Sequence, residues 1–314
     1  MRTIKKVASH IFIDGFGGMT QGLFATLIIG TMIQQIGLLI GGSTGNVIYL
    51  LGKAAAALTS AGIGVGVAVK YGESPLVTVS AAVAAMVGGY AGKITGGTFF
   101  VDGNAVLAGP GEPLGAFIAA FAGITCGHLV SGKTKVDIIV TPVITIGAGS
   151  VVGLLVGPPI SQMMTGLGSI INWATEQRPF IMGIVVSVVM GMVLTLPISS
   201  AALGIILNLS GLAAGAATIG CCCNMVGFAV ASYRENKFGG LVAQGLGTSM
   251  LQVPNIMRHP LIWLPVIFSS AILGPVSTII ANMQNNATGS GMGSAGLVGQ
   301  ITTYQTMIAY DDPK

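Results

Sequence analysis

Two stretches of this chain hold the side chains that could do chemistry. The first, residues 95–113, reads TGGTFFVDGNAVLAGPGEP and sets Asp102, Asn104 and Glu112 among glycines and prolines. The second, residues 239–260, reads GGLVAQGLGTSMLQVPNIMRHP and supplies Gln244, Thr248, Ser249, Gln252, Asn255, Arg258 and His259. Planar amides and carboxylates each take two hydrogen bonds in fixed directions, which suits a sugar or another small polar solute, and could also suit an anion. Glu112 immediately precedes Pro113, so it sits at the cap of a helix, where backbone N–H groups stabilise negative charge. It could equally be a helix cap and nothing more. His259 carries an imidazole, the side-chain type that would suit proton coupling, or it could simply start a helix. Arg258 has a plainer reading as an interfacial anchor. We take Asp102, Asn104, Glu112, Gln252, Asn255 and His259 as the candidate solute-binding residues. Asn208 and Asn224 are further cavity candidates, or polar residues bonding across helices.

Other chemistries find no support. Cys126 stands alone, and Cys221, Cys222 and Cys223 are adjacent, with no CxxC or Cys/His metal spacing. Small apolar residues packed in a bundle is the expected role for them. GPGEP lacks the Gly-Lys-Ser/Thr of a phosphate loop. No nucleophile–base pair is visible, so we expect a transport component, not an enzyme, with no metal and no cofactor.

The elements that must position these residues are membrane helices. The chain has 314 residues, 52% of them apolar and only 7% charged, with mean hydropathy +0.85. A soluble domain carries about 25% charged residues, so this chain is expected to be a polytopic all-α membrane protein. Its net charge of +4, spread over short loops, implies no nucleic-acid partner. Gly and Pro free backbone groups, which lipid tolerates only where a segment is buried in protein or lines a wet cavity. Carboxylates at membrane depth point to function by default. A plain loop outside the membrane is the competing reading of 95–113.

Apolar runs bounded by turn signals place spans at about 18–41, 46–69, 75–92, 113–131 and 136–157, the last stopped by Gly157-Pro158-Pro159. Residues 160–178 look amphipathic and read as a connector helix lying on the membrane; a buried connector or an exposed loop are the alternatives. Further spans fall at about 180–197, 200–217, 218–232 and 260–282, and a weak, Gly-rich tenth at about 289–309 could itself be re-entrant. Pro113 and Pro260 both open an apolar span after a polar, Gly-rich stretch. That match suggests an internal duplication, although Gly/Ala-rich helices resemble one another in any case. With the N-terminus inside, ten of the 13 Lys and Arg fall on the inner side, among them Arg2, Lys5, Lys6, Lys133, Lys135, Arg234 and Lys237. Five spans per half would make the halves inverted, each with a re-entrant polar hairpin, which is a transporter architecture. The expected division is 1–159 for the first membrane repeat (hairpin about 93–112), 160–178 for the connector, and 179–314 for the second repeat (hairpin about 239–259). The two hairpins would form the solute site, and both termini would be cytoplasmic.

The runs DGNAVLAGPGEPLGA, TPVITIGAG followed by VGPPI, and NMVGFAVASYRENKFGGLVAQGLGTSMLQVPNI resemble the PfoR-type family of membrane proteins. That family is grouped with the membrane (IIC) components of the bacterial sugar phosphotransferase system. The resemblance implies a multi-pass, homodimeric permease of the bacterial inner membrane that binds a sugar. It also implies Glu112 and His259 as sugar contacts, because Gly109-Pro110-Gly111-Glu112-Pro113 is similar to a hairpin motif of related permeases. A soluble IIB-type partner would carry the phosphotransfer, since this chain holds no such domain. The rival expectations are a phosphotransferase-independent transporter coupled to protons or ions, and a membrane-embedded ligand sensor or regulator.

Overall fold

The computed structural model describes residues 14–101, 103–107, 109 and 111–311. Asp102 and the basic residues Arg2, Lys5, Lys6 and Lys314 lie outside them. Among the described residues the chain is 82% helical. Among the described residues five helices are long and apolar enough to cross a membrane, or six if the bent pair described below counts as one span. Many large apolar side chains face outward, such as Ile138 at 73% and Ile280 at 75% exposure. Water would not hold such a surface, but lipid would. Every fully buried polar side chain among the described residues is Ser, Thr, Asn or Gln; none is charged.

The fold divides into two compact units: Met1–Gly30 with Leu51–Met163, and Thr31–Leu50 with Met164–Lys314. Helix α1 (Phe16–Ile40) takes one π turn at Phe24–Ile28. Helices α2 (Gly42–Ala57) and α3 (Thr59–Lys70) meet at a 53° bend. Helix α4 (Pro75–Gly89) opens with Pro75 in its first turn, behind Ser74, whose hydroxyl accepts from the Val77 N–H. A short helix, α5 (Ala91–Thr95), and a two-stranded hairpin, β1 (Phe100–Val101) and β2 (Asn104–Ala105), precede α6 (Pro113–Val130). Helices α3, α4 and α6 pack on one another in the first unit. The α1–α3 contact is backbone on backbone: a Cβ on Gly22 would lie 2.0 Å from the Gly62 carbonyl oxygen. Small residues allow such approach, where dispersion and close packing hold membrane helices together.

Helix α7 runs from Asp137 to Thr175, 39 residues, with Pro142, Pro158 and Pro159 inside it. The stop expected at Gly157-Pro158-Pro159 is therefore absent. A proline removes its own N–H and crowds one carbonyl, but membrane helices accommodate this where neighbours satisfy the freed group. In the second unit α8 (Pro179–Thr195), α10 (Gly211–Ala231) and α13 (Leu264–Pro275) pack mutually. The two spans expected at 200–217 and 218–232 are replaced by a short helix, α9 (Ser200–Ile206), a turn, and α10 as one continuous helix. Asn208 at φ +48° and Gly211 at φ +58° make that break. Asn and Gly are the residues that adopt left-handed backbone at little strain, and the Leu209 N–H closes α9 on the Gly204 carbonyl at 3.0 Å. Helix α11 (Tyr233–Val242) is kinked at Lys237, and α12 (Val253–Arg258), α14 (Ala287–Ser290) and α15 (Val298–Asp311) complete the chain.

Candidate functional site

In the first unit the polar stretch forms an outward loop pinned at its base. Phe100 pairs with Ala105 and Val101 with Asn104, with Gly103 at φ +78° in the turn. Phe100 is 62% exposed, and Asn104 is exposed with it. The described loop residues Gly103 to Leu107 are all exposed. The base is different. The Glu112 N–H donates to the Gly89 carbonyl at 2.7 Å. The Tyr90 hydroxyl donates to the Gly109 carbonyl and, at 3.4 Å, to the Ala57 carbonyl at the α2–α3 bend. Tyr90 also packs against Phe99, the rings tilted by 54° with centroids 5.4 Å apart. Gly111 sits at φ +78°, and a Cβ there would lie 2.4 Å from Ser60 Oγ. The end of α4, the bend and the start of α6 therefore converge on Gly109, Gly111 and Glu112. Glu112 is half-buried in extended conformation, and its side chain makes no capping bond to α6.

In the second unit the polar stretch is a broken, buried strap. A π turn at Ala243–Gly247, an extended Thr248, a 3-10 turn at Ser249–Gln252 and α12 follow one another. Its side chains form a chain of amides. Asn255 Nδ2 donates to Gln252 Oε1, Gln252 Nε2 to Gln244 Oε1, and Gln244 Nε2 to Ser232 Oγ, each at 2.8 Å. Gln244 and Gln252 are 2% and 5% exposed, and Asn255 is exposed. His259 lies exposed beyond α12, its N–H bonded to the Asn255 carbonyl at 2.8 Å. Arg258 is exposed as well.

Beside the strap is a second network, centred on Asn224. Asn224 Oδ1 accepts from Thr195 Oγ1 at 3.2 Å and Trp263 Nε1 at 3.1 Å. Its Nδ2 donates to the Gly220 carbonyl at 3.1 Å and Ser270 Oγ at 3.2 Å. Thr195 Oγ1 and Ser249 Oγ are 2.8 Å apart. This amide is fully satisfied by α8, α10 and α13, so it bonds across helices and offers a ligand nothing. Asn208 is exposed in the turn after α9. Cys221 and Cys223 are buried in α10, as small packing residues.

The structure therefore joins Gln252 and Asn255 in one chain of bonds and sets Asn104 and Glu112 on one loop; Asp102 lies outside the described residues. Tyr90, Gln244 and Ser232 are the positioning side chains the six candidates omit. Gln244 carried a signal, as an amide in a Gly-rich run. Tyr90 carried none, because an aromatic after Gly-Gly in an apolar chain looks like any interfacial ring. A family model described as "Phosphotransferase system, EIIC" matches residues 13–311. No curated protein and no solved structure matches the chain.

Proposed function

The chain belongs to the phosphotransferase system EIIC family, membrane transport components whose phosphotransfer is carried out by separate EIIA and EIIB proteins, and from that premise we propose that it is a permease for a small neutral polar solute, a sugar first among them. The single observation behind this reading is the amide chain of the second unit, which ends in an exposed Asn255. Apolar helices exclude such groups unless something polar uses them. Binding groups would come from both polar stretches: Asp102, Asn104 and Glu112 from the first, Gln252, Asn255 and His259 from the second.

The finer architecture belongs to the same proposal: ten spans in two inverted repeats, 1–159 and 179–314 joined by 160–178, as a homodimer in a bacterial inner membrane with cytoplasmic termini. Support for the repeat is a shared plan. Each unit has three mutually packed helices, and in each a polar, glycine-rich stretch separates the second from a third opened by proline, Pro113 or Pro260. A IIB-type protein would be the soluble partner.

Binding of a panel of radiolabelled hexoses to the purified protein tests the reading. Glu112→Gln and Asn255→Ala should each weaken the bound hexose about tenfold, the loss of one good hydrogen bond. If both variants bind as the parent does, these residues do not form the site. The rival, a proton- or ion-coupled transporter, rests on His259. Uptake into vesicles free of soluble phosphotransferase proteins, driven by a pH gradient, would favour it. A sensor without transport predicts binding with no flux in proteoliposomes.

A further inference from the structure

The amide chain of the second unit has a direction. Each link uses an N–H on the Asn255 side and an oxygen on the Ser232 side. One reversed amide would set two carbonyl oxygens, or two NH2 groups, face to face. The links can therefore only turn together. Both inner members are enclosed, so no water substitutes for a lost partner there. Ser232 is the one member that can end the chain either way, since a hydroxyl both donates and accepts. In the observed direction Asn255 spends one Nδ2 hydrogen inward. Its Oδ1 and second Nδ2 hydrogen stay uncommitted among the described residues.

We propose that Gln244 and Gln252 are positioning residues that hold the Asn255 amide in one orientation, so that it offers an acceptor and a donor side by side to neighbouring hydroxyls of a solute. Every member is neutral, so this recognition is independent of pH across the physiological range. The inference rests on Asn255 as a solute contact, but its central claim, one shared orientation, can be tested without any solute.

The test is a double-substitution cycle read as the melting temperature of the purified protein at pH 8. Ser232→Asp can only accept, which keeps the observed direction. Asn255→Asp can only accept, which forces the reverse. Combined, they leave one link as oxygen against oxygen. The double variant should melt about 4 °C below the sum of the single shifts. In a Gln252→Met background, where the chain is cut, the two shifts should add. Additivity in the parent overturns the proposal. So does coupling that survives Gln252→Met, because it would then be plain charge repulsion. Should Gln252→Met not accumulate, 15N spectra of Asn- and Gln-labelled protein decide. One Asn255 side-chain proton should exchange slowly and lose that protection in Gln244→Met; equal, fast exchange of both protons refutes the idea. With the bound hexose, Asn255→Ala and Gln244→Met should each lose about tenfold in affinity, and the double no more. If no hexose binds the parent, the permease reading fails while the cycle still judges the orientation.

Discussion

Tyr90 is 1% exposed and bonds two carbonyls that belong to different segments, Gly109 of the loop base and Ala57 of the bend. Tyr90→Phe should cost about 1 kcal/mol of stability, the net worth of a typical intramolecular hydrogen bond. Outside the spans, burial, with the charge of Asp14 as a second cause, raises the Tyr71 phenol to about 12. A raised folded value leaves stability untouched below pH 10 and lowers it as pH climbs towards 12. Ultraviolet titration should therefore find a late-ionising phenol that Tyr71→Phe removes. The candidate site was legible at this scale only where a polar residue interrupts apolar sequence. Gln252 and Asn255 stand out for that reason. Their hydrogen-bond direction, and the tie made by Tyr90, depend on side chains brought together from separate segments, which residue type alone does not encode.

Helix starts were easier to read than helix ends. Pro75, Pro113, Pro179 and Pro260 each open a helical segment where a first-turn proline would be expected. Ends failed where tertiary packing overrode a local signal. Pro158 and Pro159 did not stop α7, and a single Asn208-to-Gly211 turn redrew two expected spans as a short and a long helix. Packing between helices gives a direct test. A Cβ on Gly220 of α10 would lie 1.8 Å from the Ser187 carbonyl oxygen of α8, and backbone cannot step aside as a flexible side chain can. Gly220→Ala should destabilise the protein by about 3 kcal/mol or more. Gly147 lies inside α7 with nothing within 4 Å of a Cβ. Gly147→Ala should be neutral or stabilising by about 0.5 kcal/mol, the ordinary gain in a helix interior. Thermal unfolding of both variants in detergent checks the contrast.

At the scale of the whole molecule, composition alone excluded a soluble protein, and the EIIC family match over residues 13–311 agrees. The number of spans was less legible. Among the described residues two apolar helices, Pro75–Gly89 and Pro179–Thr195, fall short of full spanning length, and hydropathy weighs a short apolar helix like part of a long one. Among the described residues the fully buried polar groups are hydroxyls and amides without a single charge. A membrane potential does work only on charge that moves through it, about 2.3 kcal/mol per elementary charge per 100 mV. Buried groups without charge give that potential nothing to act on, so a movement of the second unit's amide chain would be electrically silent. Uptake of a neutral solute into proteoliposomes should proceed at the same rate, within about twofold, whether a potassium diffusion potential of about 100 mV is imposed or collapsed. A strong voltage dependence would mean that an ion crosses with the solute.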